Sequence, residues 1–309
     1  MNILITGGAG FIGSTLAKSL IEDGHEVMII DDMSNGRIEN LNNLNAVKVF
    51  QHDLTKSHDG LDILLSKTNI VFHFAASLGV ENVHKNPFET FKNNALINEN
   101  LFPLYKKWGV KVIFGSTSEV YGESKEEGSS EEDGFNIFST ETARGGYAAA
   151  KIYSEFYLKS FDISHTIVRF FNIVGPKQIG DRGHVLPRFI EAAVKGEDLI
   201  VYGNGQQARS FCDIRDAIEM LKILMDKKHN GETYNVGAEN ICTILDLAHI
   251  VKTELNSNSE IKMVKKDIDE IYNRYPKLDK INQLYKTKYT LEDIIRNIYE
   301  TNFSSCTTS

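Results

Sequence analysis

The chain has 309 residues, 41% of them apolar and 25% charged, so it can bury one large core or two modest ones as a globular protein. Its formal net charge of -8 excludes a general attraction to nucleic acid or to an anionic membrane surface, and any polyphosphate ligand must be held by local arginines and backbone amides. Cys212, Cys242 and Cys306 lack paired or metal-like spacing, which excludes a disulfide framework and points to a reducing, cytoplasmic setting.

The first apolar run, residues 3–5, begins at once and leaves no room for a signal peptide, and no run reaches the roughly 18 apolar residues of a membrane span. Further short apolar runs follow at 27–30, 47–50, 70–74, 112–114 and 167–170, separated by stretches long enough for helices. That rhythm predicts a parallel sheet built from βαβ crossovers. Between the first two runs, Ile12, Leu16, Leu20 and Ile21 recur at helical spacing, and Gly24 stands where a helix stops. The stretch 123–141 is acidic and rich in small residues, centred on Glu126-Glu127-Gly128-Ser129-Ser130-Glu131-Glu132-Asp133, and reads as a solvated loop. After Pro176 the alternation loosens, and helical patterns at 186–194, 213–225 and 244–255 predict a second, smaller, mainly helical region. The fold class expected is α/β, a Rossmann-type doubly wound parallel sheet followed by that smaller region.

Gly7-Gly8-Ala9-Gly10-Phe11-Ile12-Gly13 lies directly between the first strand and the first helix. In that context glycines permit a tight turn, close approach of a pyrophosphate and close packing of helix on strand, while the helix N-terminus offers N–H groups and a positive dipole end. The second strand ends in Ile30-Asp31-Asp32, which places Asp31 where an adenosine ribose presents its hydroxyls. A carboxylate there repels a 2′-phosphate, so NAD is expected in preference to NADP, although Arg37 lies nearby. Asp53-Leu54 after the third strand is a candidate adenine contact, with a loop cap as the alternative for Asp53. Phe74-Ala75-Ala76 ends the fourth strand with small residues where a cofactor passes the backbone.

Tyr147 and Lys151 stand one helical turn apart on one face. A phenol near pKa 10 is a poor base at neutral pH, but a neighbouring ammonium and a nicotinamide cation both favour the phenolate. Tyr147 then takes a hydroxyl proton while hydride leaves the same carbon. A third hydroxyl is expected after the fifth strand, in Gly115-Ser116-Thr117-Ser118-Glu119, and Thr117 is the residue assigned to share that hydrogen-bond network.

On these motifs the chain resembles the extended short-chain dehydrogenase/reductases of the NAD-dependent epimerase/dehydratase family. The resemblance extends through Arg169-Phe170-Phe171-Asn172-Ile173-Val174-Gly175-Pro176, residues 201–209 (VYGNGQQAR), Tyr234-Asn235-Val236-Gly237 and Arg274-Tyr275-Pro276. It implies an NAD-binding Rossmann domain over 1–172 and a nucleotide-sugar substrate domain over 173–309, with some strands returning to the first. It also implies transient oxidation at C4 of a nucleotide-activated sugar, with Asn172, Arg209 and Arg274 holding the diphosphate, a task suited to bidentate guanidinium groups.

The fate of the resulting 4-keto sugar depends on the surroundings of C4 to C6. Thr117-Ser118-Glu119 and Arg144 resemble UDP-glucuronate decarboxylases and GDP-mannose dehydratases, and Glu119 is a candidate acid/base at C5 or C6. The loop before Pro87 has Val83 where decarboxylases place a tyrosine, a spacing closer to epimerases. A UDP-sugar 4-epimerase is the first expectation, a UDP-glucuronate decarboxylase the second and a 4,6-dehydratase the third. A non-catalytic NAD-binding regulatory protein is the alternative outside enzymes. Histidine spacing gives no metal site, and His184 is a candidate lining of the nucleotide-base pocket. The helical segments 91–107 and 147–160 are the expected interface of a homodimer.

Overall fold

The structure is a computed structural model that describes residues 1–42, 44, 47–57, 59–77, 87–137, 143–178, 184–265 and 271–304, without the side chains of Asp59, Ala143 and Arg144. The chain divides into two compact units: Met1–Val120, Phe135–Phe170 and Ile218–Tyr234 form one, and Tyr121–Gly134, Phe171–Ala217 and Asn235–Ser309 the other.

The first unit is built on β1 (Asn2–Thr6), α1 (Phe11–Glu22), β2 (Glu26–Asp31), β3 (Lys48–Gln51), α2 (Asp59–Leu65), β4 (Ile70–His73), α3 (Pro87–Trp108), β5 (Lys111–Thr117), α4 (Ala143–Ser160) and β6 (His165–Phe170). All five neighbouring pairs among β1 to β6 run parallel. With β11 (Thr233–Val236) at one edge, the seven-stranded order is β11-β6-β5-β4-β1-β2-β3. The chain therefore proceeds outward from β1 to β3, then crosses back to lay β4 on the other side of β1. Such a reversal leaves a crevice beyond the carboxyl ends of the two strands, where α/β sheets bind ligands. β1 and β4 are apolar along almost their whole length because helices cover both faces of the sheet, and Ile3, Leu4, Ile5, Val71 and Phe72 are fully buried. α1 turns Leu16, Ala17 and Leu20 inward. α3 and α4 pack along one another, and Leu101, Phe102 and Tyr105 of α3 join the same core as Leu158 of α4.

The second unit is held by α5 (Val185–Lys195), α7 (Ile244–Glu254) and α8 (Leu291–Asn302), whose inward faces meet in a core that includes Leu186, Phe189, Leu247, Val251, Ile294 and Ile298. The helical region read after Pro176 is therefore present, but short strands thread it. These are β7 (Ile173–Val174), β8 (Leu199–Tyr202), β9 (Ala208–Ser210), β10 (Cys212–Asp213), β12 (Ile241–Thr243), β13 (Ile261–Val264) and β14 (Asn273–Arg274); α6 (Ile214–Ile223) follows β10, and its residues from Ile218 on belong to the first unit. β9 is the middle of a three-stranded sheet, between β12 and β14.

The stretch read as a solvated loop is only partly so. Glu123, Glu126 and Glu127 are exposed, but Ser124 and Ser129 are buried and bonded to one another. Ser124 and Ser129 also donate to the chain around Tyr275, through the backbone bonds Ser124 N–H to Asn273 O at 2.8 Å and Ser129 N–H to Tyr275 O at 3.0 Å. Asn235, fully buried, donates to Ser129 O at 2.8 Å and accepts from the Tyr121 hydroxyl at 2.7 Å.

Candidate active site

The glycine loop fills the crevice at the switch point. Gly7, at the end of β1, has φ +72, and a Cβ there would lie 2.8 Å from the backbone nitrogen of Ala75 at the end of β4. Only glycine allows both that backbone conformation and that approach. Gly13 sits in the first turn of α1, where a Cβ would overlap the Gly7 carbonyl oxygen and come within 2.8 Å of Gly8 Cα. Gly10 is the N-cap of α1 and offers no side-chain cap, so no side chain of the cap competes with an anion for the N–H groups around Phe11 and Ile12.

Asp31 closes β2 beside this loop and is buried. Its Oδ2 accepts from Ala9 N–H and its Oδ1 from Met33 N–H, each at 2.9 Å. Each oxygen keeps acceptor capacity for a further donor. Burial pushes its carboxyl above the ordinary range, against the two N–H donors that favour the charged form. Asp32, by contrast, is exposed and closes a turn by accepting from both the backbone and the hydroxyl of Ser34. Asp53 does the same for Thr55, whose hydroxyl bond is the first cause of its lowered carboxyl pKa. Leu54 is buried, and its carbonyl accepts from Asn100 of α3 at 3.0 Å. Ala75 N–H donates to the Thr6 hydroxyl at 3.2 Å, which ties the end of β4 to the end of β1.

On α4, Tyr147 is half-buried and Lys151 buried. Lys151 Nζ donates to Gly115 O of β5 at 2.7 Å and lies 4.8 Å from the centre of the Phe114 ring. Burial lowers its pKa to about 8, and the Glu155 carboxylate acts in the opposite sense. Burial and the Glu119 carboxylate raise the Tyr147 phenol above its ordinary value, while a hydrogen bond from Thr117 lowers it. β5 thus brings Thr117 to Tyr147, and the turn after it brings Glu119 within electrostatic reach of the same phenol. Ser118 is buried beside them. The side chain of Arg144 lies outside the described residues, as do Gly79, Val83 and His84.

In the second unit, Arg209 of β9 and Arg274 of β14 are register partners on adjacent parallel strands. The Arg209 guanidinium donates to the carbonyls of Ala208, Tyr272 and Ile271 at 2.8, 3.1 and 2.8 Å. Arg274 is buried. Asn172 precedes β7 with φ +30, a conformation rare for a side-chain-bearing residue, and its Nδ2 donates to Ser210 O at 2.9 Å. The structure therefore gathers these three around β9. His184 is exposed at the N-cap of α5.

The model of the NAD dependent epimerase/dehydratase family matches residues 3–237. The chain belongs to this family. It is 36% identical over 295 residues to the UDP-N-acetyl-alpha-D-glucosaminuronate decarboxylase of Bacillus cytotoxicus, covering 91% of this chain and 90% of that protein. Among solved structures it is similar to a UDP-glucose 4-epimerase of Thermotoga maritima with UDP-glucose, at 27% identity and TM-score 0.89 over 97% of this chain and 98% of the other. It is equally similar in identity, 27%, to a UDP-glucuronic acid 4-epimerase of Bacillus cereus in complex with UDP-glucuronic acid and NAD, at TM-score 0.87 over the same shares.

This member of the epimerase/dehydratase family is an NAD-dependent enzyme, and its own residues fit the cofactor: Gly7 and Gly13 are packed too closely on backbone to carry a Cβ, Gly10 leaves the N-terminus of α1 without a side-chain cap, and Asp31 is bonded to the loop at Ala9. Sequence reasoning assigned no role to Ser116, Glu155 or Arg169. Glu155 stands four residues beyond Lys151, a spacing that alone places it on the Tyr147–Lys151 face of the helix. Among the described residues no group of three or more His, Cys, Asp or Glu side chains is placed to hold a metal, and no helix is long and apolar enough to cross a membrane.

Proposed function

We propose that the enzyme decarboxylates a UDP-linked uronic acid by way of a transient ketone at C4. The observation that carries this reading is a carboxylate beside the phenol: Glu119, in the turn directly after β5, acts on Tyr147 so as to oppose its ionisation. Oxidation at C4 needs the phenolate, so a carboxylate that raises the phenol's pKa works against that step and is better explained by a separate task at C5. The similarity to a UDP-N-acetylglucosaminuronate decarboxylase over nine tenths of both chains supports the same reading.

When bound, NAD supplies reversible hydride acceptance at C4, which no side chain provides. Tyr147 takes the C4 hydroxyl proton, with Thr117 donating to the phenolate oxygen and Lys151 supplying positive charge. A C4 ketone is β to the C6 carboxylate, so the C5–C6 bond breaks with its electrons flowing into the carbonyl as carbon dioxide leaves. C5 takes a proton, assigned to Glu119, and Tyr147 returns its proton as the C4 hydroxyl is restored. Asn172, Arg209 and Arg274 are assigned to the diphosphate and Ser118 and Arg144 to the sugar, while Asp31 holds the adenosine ribose and selects NAD over NADP. Asp32, Asp53 and Leu54 serve the cofactor indirectly, by fixing the loops after β2 and β3.

The 4-epimerase is the second reading, favoured by Val83 at the position where decarboxylases carry a tyrosine. Incubation with NAD and a panel of UDP-sugars separates the two by product mass. Loss of carbon dioxide from UDP-glucuronate or UDP-N-acetylglucosaminuronate supports decarboxylation, and a C4-inverted product of unchanged mass sinks it. We further propose a homodimer joined through α3 and α4. Those helices and their margins expose Phe88, Phe91, Tyr153, Phe156 and Phe161, and Phe156 is 58% exposed.

A further inference from the structure

We propose that Glu155, locked by Arg169 and Ser116, is a positioning residue that holds the Lys151 ammonium in place and charged, and through it supports the ionisation of Tyr147. Three residues of α4 spaced by one turn, Tyr147, Lys151 and Glu155, meet three consecutive residues of β5. Lys151 Nζ donates to Gly115 O at 2.7 Å, the Ser116 hydroxyl donates to Glu155 Oε1 at 2.6 Å, and Thr117 hydrogen-bonds to Tyr147. Arg169 of β6, the register partner of Ser116, grips the same carboxylate from its other side, with Nε to Oε1 at 3.1 Å and Nη2 to Oε2 at 2.7 Å. Glu155 is 1% and Arg169 3% exposed. The carboxylate is thus fixed by three donors from two strands, and α4 cannot slide along β5 without breaking them.

A buried ion pair contributes little net stability compared with apolar residues of the same shape. Its effect on neighbours is larger, because charges interact strongly where water is excluded. The charged and titratable groups around Lys151 come from four elements. Glu119, in the turn after β5, acts on Tyr147. His73 on β4 is fully buried, and burial together with Lys151 lowers its pKa to about 3, so it stays neutral at physiological pH. Arg169 on β6 is the ion-pair partner of Glu155. Of the two, the carboxylate, one helical turn beyond Lys151 on the same helix, is the group whose field acts on the ammonium against desolvation.

The inference rests on Tyr147 being the proton acceptor beside NAD, and the test separates the two. Tyr147 ionisation is followed in NAD-loaded protein by ultraviolet difference absorbance, with the Tyr147→Phe protein subtracted, and NAD affinity is measured in the same samples. Glu155→Gln is expected to raise the Tyr147 midpoint by about one pH unit or more, and Glu155→Asp to bring it back most of the way. If Glu155→Gln fails to fold because Arg169 is stranded, Glu155→Gln/Arg169→Met removes the stranded charge, and a smaller rise of the midpoint in the same direction is expected. A midpoint unchanged in either neutral variant, with NAD still bound, overturns the inference and leaves the role of Tyr147 standing. Equal shifts in Glu155→Gln and Glu155→Asp also overturn it. A wild-type titration indistinguishable from Tyr147→Phe overturns both.

Discussion

Tyr147 and Lys151 are displaced from their ordinary ionisation in opposite directions, and both displacements begin with burial. Burial and the Glu119 carboxylate favour the protonated phenol, and positive charge beside it favours the phenolate. Tyr147→Phe keeps the ring and removes the acid, and turnover is expected to fall by about 10²–10⁴-fold or more while NAD affinity is retained. Near wild-type turnover in that variant refutes the assignment. Lys151 brings a pH dependence with it. Because its pKa is lowered to about 8, the ammonium is present below that pH and lost as pH rises through it. A falling alkaline limb in kcat/KM near that value is expected, and in Lys151→Arg, which stays charged, the limb should move to higher pH. The pair itself was legible from its helical spacing. Glu119 was legible only as a candidate, since a turn after a strand end does not reveal which way a side chain faces. Ser116 and Arg169 stand inside motifs that the sequence shows, but their pairing with Glu155 was not legible, because it depends on the register of β5 with β6.

Elements differ in how far the amino-acid pattern predicts them. β1, β2, β4, β5 and β6 are legible because a strand buried on both faces is a largely continuous apolar run, and their spacing implies the crossovers, while β3, at the sheet edge and mostly exposed, is marked by Val47, Val49 and Phe50. The strands of the second unit are two to four residues long, too short for any alternation, and partners distant in sequence define them, as β14 is defined by β9. The same holds for the acidic stretch: Glu123, Glu126, Glu127 and Glu132 are solvated as expected, but Glu131 accepts from Asn235 N–H, and Ser124 and Ser129 are buried by residues more than a hundred positions away. Asn235 is the keystone of that packing. Asn235→Ala removes one of the two donors to the Ser129 carbonyl, which keeps its bond from Lys277 N–H, and the acceptor of the Tyr121 hydroxyl bond, and is expected to cost about 1–3 kcal/mol, read as a drop in thermal midpoint. No drop would show that the loop is held by other means. Gly13→Ala tests the cradle: its Cβ meets the Gly7 carbonyl, so NAD affinity is expected to fall about tenfold or more, and undiminished binding would contradict the close packing of loop and helix.

For the whole molecule, the exposed aromatic side chains of α3 and α4 and the fate of the sugar are the two matters that reach beyond single elements. Phe156→Glu places a charge on the proposed dimer face and is expected to halve the mass seen by light scattering, whereas an unchanged mass would remove that face as the interface. The sugar's fate is decided most directly by one NMR time course of UDP-glucuronate with NAD and the enzyme in deuterium oxide. Oxidation at C4 followed by loss of C6 predicts a pentose product that keeps its original hydrogen at C4 and carries a single deuterium at C5. A product that retains the carboxylate, inverted at C4 and free of solvent deuterium, would contradict the account.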